Sequence, residues 1–340
     1  MVIRSLMKAG VALVAVGVAV LMWGHYIGPE QRPLLALTQY IPYPGYLVPA
    51  VVACVASLWL SWWWRGLAVG SLVLCLTVLM GLAWGRPDEG HGRVRFMTYN
   101  AKVYLALQRQ GGLAELAQEI NEQQPDILVM QDAGQLADAE HSGPDALKQL
   151  IGPRHVQHYG QYIVASRWPM ERCVAGQIPI KGVAHSFLRC PVDIDGVRVQ
   201  VVTVHLVTPR AGLNATRFEG LEGLDEWQDN MMSRLQQSGV LAQYLRELPP
   251  GPVILGGDLN APESSLVVRT LLNTGLRDAY SSASRGYGFT HGHHMLKGLS
   301  FLRLDHVLVS PDIGVVDAYA GGSVGSQHRP VVADLVLHRQ

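Results

Sequence analysis

Apolar runs that end in polar side chains constrain this sequence more than any other feature. In residues 253–260, an apolar triplet and two glycines precede Asp258 and Asn260. Such a run predicts a buried strand that delivers polar groups to a crevice, where glycines leave room for a substrate. Five further segments have the same character: 95–100, 126–132, 199–205, 304–309 and 326–331. Six strand ends therefore carry side chains of the kind that bind metal ions or move protons.

The order and the residues of these six segments resemble those of the endonuclease/exonuclease/phosphatase superfamily. That group contains DNase I, abasic-site endonucleases, neutral sphingomyelinases and inositol polyphosphate phosphatases. The resemblance covers roughly residues 93–338. It implies an α/β fold, a four-layered sandwich of two mainly antiparallel sheets flanked by helices, with the site at one edge.

The N-terminal quarter of the chain is predicted to be a membrane anchor. Apolar residues make up 49% of the sequence and charged residues only 16%. Stretches at about 9–27, 46–64 and 66–84 are each long enough to cross a bilayer of roughly 30 Å as a helix. No convincing cleavage site follows the first stretch, so a retained anchor is favoured over a signal peptide.

These stretches predict three parts of the chain. Residues 1–86 form the transmembrane helical region, residues 87–92 a linker, and residues 93–340 the catalytic domain.

Basic residues near the apolar stretches predict the orientation. Arg4 and Lys8 precede the first stretch, and Arg65 follows Trp62–Trp64 at an expected tight turn between the second and third. The positive-inside tendency places these residues in the cytoplasm. Three crossings then put the catalytic domain outside, facing the periplasm or exterior from the cell (inner) membrane. Three arginines oppose this assignment: Arg86, Arg93 and Arg95.

The charge of the soluble part bears on its partners. Residues 87–340 hold 22 basic and 26 acidic residues, a net charge of −4. This domain lacks the excess of basic residues that is expected of a protein that binds nucleic acids tightly. A nuclease is disfavoured and stays open as an alternative.

Two cysteines in the soluble part have two open interpretations. Cys173 and Cys190 flank two predicted strands that meet near residues 181–182. They form either a cross-strand disulfide, which suits an extracytoplasmic domain, or two buried free thiols. Cys54 and Cys75 lie within the apolar stretches and are interpreted as small apolar residues.

The resemblance implies a site for Mg²⁺, with Mn²⁺ as a substitute. Asp132 is the expected metal carboxylate and Asn100 a neutral oxygen donor, because hard cations prefer oxygen ligands. Relatives usually have Glu where this chain has Asp132, and Asp where it has Gln327. The carboxamide of Gln327 retains an oxygen donor but removes one negative charge, so we expect a single tightly bound metal ion.

The remaining candidates are catalytic. His328 corresponds to the histidine of a Ser-Asp-His motif and is expected to accept a proton from the attacking water, with Asp305 setting its tautomer. Asp258 would align that water or assist at the metal. Asn260 would donate to a phosphate oxygen, and His205 would protonate the leaving oxygen or contact the phosphate.

Each of these residues also has a structural interpretation. Asn and Asp at strand ends are commonly turn formers, and His306 is interpreted as a structural neighbour of Asp305. The histidines at 291, 293 and 294 form a dense loop. A zinc site there is an alternative to a solvated loop that faces the substrate.

The sequence thus predicts a metal-dependent hydrolase of phosphoric ester bonds, with a phospholipid head group or a small phosphodiester as substrate. The alternatives are an extracytoplasmic nuclease and a catalytically silent module that binds a phosphorylated ligand. Sequence alone assigns neither the substrate nor the oligomeric state, since specificity lies in variable loops.

Overall fold

The computed structural model describes residues 1–90, 93–138, 145–180, 183–296 and 298–338. In these residues the strands form two six-stranded sheets and one two-stranded ribbon. The first sheet has the order β10 (Arg277–Asp278), β12 (Asp305–Val309), β9 (Val253–Asp258), β8 (Val197–His205), β7 (Val183–Ile194), β6 (Val174–Ile180). The second has the order β13 (Ile313–Ala320), β14 (Val331–Leu337), β2 (Arg93–Asn100), β3 (Ile127–Gln131), β5 (Tyr162–Ser166), β4 (His155–Tyr159).

Helices cover the outer faces of both sheets. The second sheet is covered by α5 (Val103–Ala106), α6 (Gly112–Gln123) and α7 (Ala146–Ile151). The first is covered by α9 (Leu224–Arg246), which follows α8 (Arg210–Glu219), and by α10 (Leu266–Leu272). A short helix α11 (Ala279–Ala283) lies between β10 and β11 (Arg285–Gly286).

Three apolar layers hold these elements together. Phe96, Val201 and Ile254 belong to the layer between the two sheets, where strand residues of both are fully buried. Leu241 and Val268 lie in the layer between the first sheet and its helices. The third layer joins the second sheet to its own helices. The central strands are buried on both faces, by the facing sheet on one side and by helices on the other, which produces this four-layered α/β sandwich. The predicted fold class is confirmed.

The two glycines before Asp258 serve packing rather than a substrate. A Cβ at Gly256 would overlap the ring of Phe96 on the facing sheet, and one at Gly257 would overlap the backbone of Val204 on the neighbouring strand. The expectation that these glycines leave room for a ligand is wrong, because close approach of strands and sheets fills that space.

The N-terminal helices form a small bundle. They are α1 (Val2–Ile27), α2 (Pro33–Thr38), α3 (Pro44–Ser57) and α4 (Trp62–Leu74), the last continued by a π turn, Cys75–Leu79. Val18 of α1 packs against Ala50 and Cys75. The bundle also exposes many large apolar side chains, among them Leu13, Val16, Val52, Trp59 and Val69.

Two of the three predicted spans have the length and composition to cross a membrane, namely Val2–Ile27 and the helical stretch Trp62–Leu79. The second predicted span is shorter than expected. Its helix α3 has 14 residues, which corresponds to about 21 Å, because the chain leaves the helix at Leu58. Trp62–Trp64 do not form the expected turn but open α4, and Arg65 donates back to the Leu58 carbonyl at 2.8 Å.

The segment between α1 and α3 packs on the α/β sandwich. Glu30 is buried and accepts hydrogen bonds from Ser265 Oγ and from the Leu266 backbone N–H, at the start of α10. The indole of Trp227 donates to the Pro33 carbonyl at 2.8 Å. The helical region and the domain are thus in direct contact through buried polar pairs.

Residues after α4 are also bound to the domain. The strand β1 (Ala83–Trp84) pairs with β11, and Asp88 Oδ2 lies 2.5 Å from Arg277 Nη2. Of the predicted linker, residues 87–90 therefore lie against the domain, and residues 91 and 92 fall outside the described residues.

Cys173 and Cys190 are joined by a disulfide, with their Cα atoms 4.3 Å apart. Cys173 immediately precedes β6, and Cys190 lies in the paired strand β7. Of the two interpretations left open by the sequence, the structure has the cross-strand bridge. The expected turn at residues 181–182 lies outside the described residues.

Candidate active site

Strand register brings the polar strand ends together. On the first sheet, His205 pairs with Asp258 across the parallel strands β8 and β9, and Asp258 pairs with Asp305 across β9 and β12. On the second sheet, Asn100 pairs with Gln131 at the ends of parallel β2 and β3. Parallel strands end at the same edge, and antiparallel β12 begins there, so the polar residues of each sheet lie side by side. Contact of Asn100 with Asp258 joins the two sets.

His328 and Asp305 form a buried pair. The Nδ1 atom of His328 lies 2.8 Å from Asp305 Oδ2, and its Nε2 atom lies 3.7 Å from Asp258 Oδ2. Burial alone would lower the pKa of His328, but the negative charges of Asp305 and Asp258 outweigh burial and raise it. The carboxylate at Nδ1 leaves Nε2 as the nitrogen that faces the site.

His205 is oriented by a residue that the sequence analysis did not single out. Its Nδ1 atom lies 2.7 Å from Gln161 Oε1, in the loop between β4 and β5. The amide oxygen accepts only, so Nδ1 carries the proton. His205 Nε2 then faces Asp258 Oδ2 at 3.5 Å.

Asp258 is the centre of the hydrogen-bond network. Its Oδ2 accepts from Asn100 Nδ2 at 2.7 Å, and its Oδ1 accepts from the Asn260 backbone N–H at 2.9 Å. Asn260 adopts a left-handed backbone conformation with φ 49°. Its side-chain Nδ2 donates to the Leu206 carbonyl at 2.8 Å, which ties the ends of β8 and β9 together.

Two buried oxygens in this network have no hydrogen-bond partner: Asn100 Oδ1 and Asp305 Oδ1. A buried acceptor without a partner is costly, and a cation would satisfy both. Ligand atoms of Asp258, Asp305 and His328 also lie within 4.8 Å of one another. The donor set, rich in oxygen, therefore fits a divalent metal ion.

Asp132 directly follows β3 but is engaged by a lysine. Lys102 Nζ lies 2.8 Å from Asp132 Oδ2, and only 9% of the lysine side chain is exposed. The other oxygen, Oδ1, lies 3.5 Å from His205 Nδ1. Burial alone would raise the pKa of Asp132, but His205 and Lys102 together hold it well below its usual range.

Gln327 lies beside His328 and is half-buried. Its neighbour Ser326 donates from Oγ to the Asn100 carbonyl at 2.7 Å, which holds this segment at the end of β2. The contacts above link seven of the predicted site residues, and Gln327 is their neighbour in the chain: Asn100, Asp132, His205, Asp258, Asn260, Asp305 and His328.

The other histidines have structural contacts. His306 is buried between Asp278 Oδ2, at 3.1 Å, and the Ala261 carbonyl, at 3.0 Å. His293 lies 2.9 Å from the Ser326 carbonyl. The ring of His291 lies 4.7 Å from that of His328. Within the described residues these loop histidines form no metal-ligating group.

Sequence reasoning missed several residues of the site. Lys102 lies two residues after Asn100, yet the sequence analysis did not single it out. No sequence pattern around Gln161 marks it as a site residue, because its partner His205 is 44 positions away in the chain. Below the site, Gln131 donates to Thr203 Oγ1 at 2.8 Å and to Thr98 Oγ1 at 3.1 Å, which joins the two sheets.

Comparison with known proteins places this site in a family. The model of the Endonuclease/Exonuclease/phosphatase family matches residues 97–328. Among curated proteins no sequence matches the chain.

Solved structures show the same fold. An endonuclease/exonuclease/phosphatase from Beutenbergia cavernae DSM 12333 is 19% identical with a TM-score of 0.52, covering 73% of this chain and 72% of that chain. A family protein from Leptotrichia buccalis C-1013-b is 17% identical with a TM-score of 0.54, covering 72% and 100%. The Bacteroides thetaiotaomicron VPI-5482 mannosyl-6-phosphatase Bt3783 is 17% identical with a TM-score of 0.50, covering 72% and 100%.

The family model spans every strand end that contributes to the site, from β2 to His328. The chain therefore belongs to the endonuclease/exonuclease/phosphatase family, whose members are metal-dependent hydrolases of phosphoester bonds.

Proposed function

We propose that this protein is a membrane-anchored, magnesium-dependent phosphodiesterase that works outside the cytoplasmic membrane. Its substrate is a phospholipid head group or another small phosphodiester. The observation that carries the proposal is the buried group of His328, Asp305 and Asp258, with Asn100 Oδ1 unpartnered beside it.

Two histidines of the site carry out the two proton transfers. His328 Nε2 takes the proton of the attacking water, and Asp305 stabilises the resulting imidazolium through Nδ1. His205, with protons on both ring nitrogens, keeps the Nδ1 proton on Gln161 Oε1 and gives the Nε2 proton to the leaving oxygen. Asp258, within 3.7 Å of both Nε2 atoms, aligns the water between them. The second amide hydrogen of Asn260 donates to a phosphate oxygen.

Asn100, Asp132 and Gln327 would hold the metal ion, and Asp305 would add its unpartnered Oδ1 while its Oδ2 stays on His328 Nδ1. A bound divalent cation supplies positive charge to the phosphate oxygens as negative charge develops there. Lys102 already neutralises one oxygen of Asp132, so we expect binding of one ion rather than two.

Three features support the anchored, outward-facing arrangement. The helical bundle exposes many large apolar side chains, and groups of exposed apolar residues are typical of membrane-contacting surfaces. Arg4 and Lys8 lie at the start of α1 and Arg65 near the start of α4, whereas the ends of both helices adjoin the catalytic domain. The Cys173–Cys190 disulfide suits an oxidising compartment.

The test is hydrolysis of bis(4-nitrophenyl) phosphate by the full chain in detergent. We expect turnover with Mg²⁺ or Mn²⁺ that EDTA abolishes and that His328→Ala removes. Phospholipids, plasmid DNA and phosphomonoesters assayed side by side then separate a lipid phosphodiesterase from a nuclease or phosphatase. Absence of turnover with every divalent ion would reject the proposal.

A silent binding module is the second candidate, and the contact of Lys102 with Asp132 favours it together with Gln327. Restoring both acids, by Asp132→Glu and Gln327→Asp, separates the two candidates. Activity that appears only in the doubly restored variant would support a silent module, and activity in the unaltered chain would exclude it.

A further inference from the structure

A cavity of about 500 Å³ lies between the helical bundle and the catalytic domain. The bundle and its connections contribute mainly apolar residues to its wall, including Ile41 and Val78. The catalytic domain contributes both polar residues, Glu263 and Ser281, and apolar ones such as Leu302. Sites for small organic ligands have volumes of about 300–1,000 Å³, so this cavity has room for part of an amphiphile.

Aromatic rings line the seam between the bundle and the catalytic domain. Tyr43, which precedes α3, stacks on Phe289 of the catalytic domain with ring centroids 5.9 Å apart. Tyr287 stacks on Phe289 at 5.2 Å. Aromatic side chains of this kind favour the boundary between apolar and polar surroundings. The cavity therefore lies where the ends of the membrane-type helices meet the catalytic domain.

The cavity shares its wall with the catalytic centre. Phe289 lines the cavity and is followed in the chain by Thr290 and His291. Thr290 Oγ1 accepts from the Asp305 backbone N–H at 3.3 Å. His291 forms isolated β-bridges with both Leu302 and His328. On the bundle side, Tyr40 donates to the Asn260 carbonyl at 2.9 Å. The cavity and the catalytic centre are thus separated by one or two residues that contact both.

The charges of the cavity exclude the phosphate from it. Among its described lining residues Arg303 is the only arginine or lysine, and its guanidinium is paired with Asp278 at 2.8 Å and Glu263 at 2.5 Å. A phosphate would meet the Glu263 carboxylate there without a free cation. The cavity suits the apolar portion of a ligand, while the phosphate suits the catalytic centre.

We propose that this cavity receives the apolar portion of a membrane-resident phosphodiester whose phosphate lies at His328. The inference rests on the proposed function and names its substrate class as lipid phosphodiesters taken directly from the surrounding bilayer. The helical bundle is then part of the substrate site as well as an anchor.

The test compares lipids with water-soluble analogues of the same head group. The full chain is placed in nanodiscs that contain phosphatidylglycerol, phosphatidylethanolamine or phosphatidylcholine. Each lipid is assayed beside its deacylated glycerophosphodiester, and bis(4-nitrophenyl) phosphate serves as a substrate that does not need the cavity. We expect kcat/KM for at least one lipid to exceed that of its deacylated analogue by about ten-fold or more.

Two substitutions each place a large side chain in the cavity, from two different segments of the bundle. Ile41→Trp and Val78→Trp are each expected to lower kcat/KM on the lipid by about ten-fold and to leave bis(4-nitrophenyl) phosphate within about two-fold. Leu34→Trp is the matched control, because Leu34 is an exposed aliphatic residue of α2 that does not line the cavity.

Equal losses on lipid and soluble substrate, no loss on either, or an equal loss in Leu34→Trp would each overturn the inference. Hydrolysis of bis(4-nitrophenyl) phosphate without hydrolysis of any lipid would overturn the inference and leave the phosphodiesterase standing. Failure on every substrate would reject the proposed function itself.

Discussion

The two sheets contribute to the site in different ways. On the first sheet, His205, Asp258 and Asp305 stand side by side because backbone register pairs their strands, and His328 is buried against them. On the second sheet, Asn100 ends a strand, but Asp132 lies beyond one and is held by Lys102.

This difference coincides with the proposed division of the site into a proton-transfer half and a metal half. The first half follows from hydrogen-bonded strand pairing and retains every residue that the family resemblance implies. The second half depends on side chains in loops, and there the chain has a shorter acid at Asp132, a carboxamide at Gln327 and a lysine at position 102. We expect changes in the first half to alter turnover and changes in the second to alter metal affinity.

The largest expected effect is on the proton-transfer half. His328→Ala should lower kcat on bis(4-nitrophenyl) phosphate by about 10²–10⁴-fold, since it removes the group placed to accept the proton of water. His155→Ala, on the exposed face of β4, is the matched control. Retained turnover in a folded His328→Ala protein would contradict the assignment.

A smaller loss is expected from Asp305→Asn. The amide can still contact His328 Nδ1 but no longer stabilises a positive imidazolium, so kcat should fall by about 10²-fold while Mn²⁺ affinity changes less. Stopped-assay kinetics and Mn²⁺ titration measure the two quantities separately. A change confined to Mn²⁺ affinity would instead assign Asp305 to the metal alone.

On the metal half, Lys102→Met should strengthen Mn²⁺ binding. Removal of the ammonium frees Asp132 Oδ2 for a cation, and we expect Kd to fall by about ten-fold, equivalent to about 1.4 kcal/mol. Isothermal titration calorimetry measures the change, with Lys148→Met on the exposed face of α7 as control. An unchanged Kd would mean that Lys102 and the metal do not share Asp132.

The smallest effect is expected from Gln327→Asp. An added carboxylate should tighten Mn²⁺ binding by about three-fold, because ligand charge raises affinity for a hard cation. Gln118→Asp on the exposed face of α6 is the control. Two equivalent tight sites in the unaltered chain would show that the carboxamide does not limit metal binding.

Much of the fold and of the first-sheet half could be predicted from the sequence. Apolar runs with polar ends mark β2, β3, β8, β9 and β12, because burial on both faces requires continuous apolar residues. The length of the second membrane stretch could not be predicted in this way. Hydropathy continues through Leu58–Leu60, whereas the helix ends at Ser57.

By itself, the sequence determined where the strands end, which polar residues stand at those ends and which quarter of the chain is apolar. These properties depend on neighbours a few positions away. Only the tertiary structure decided that Lys102 engages Asp132, that Gln161 orients His205 and that Glu30 binds the start of α10. Each of these contacts joins elements far apart in the chain, and its geometry depends on how complete layers pack.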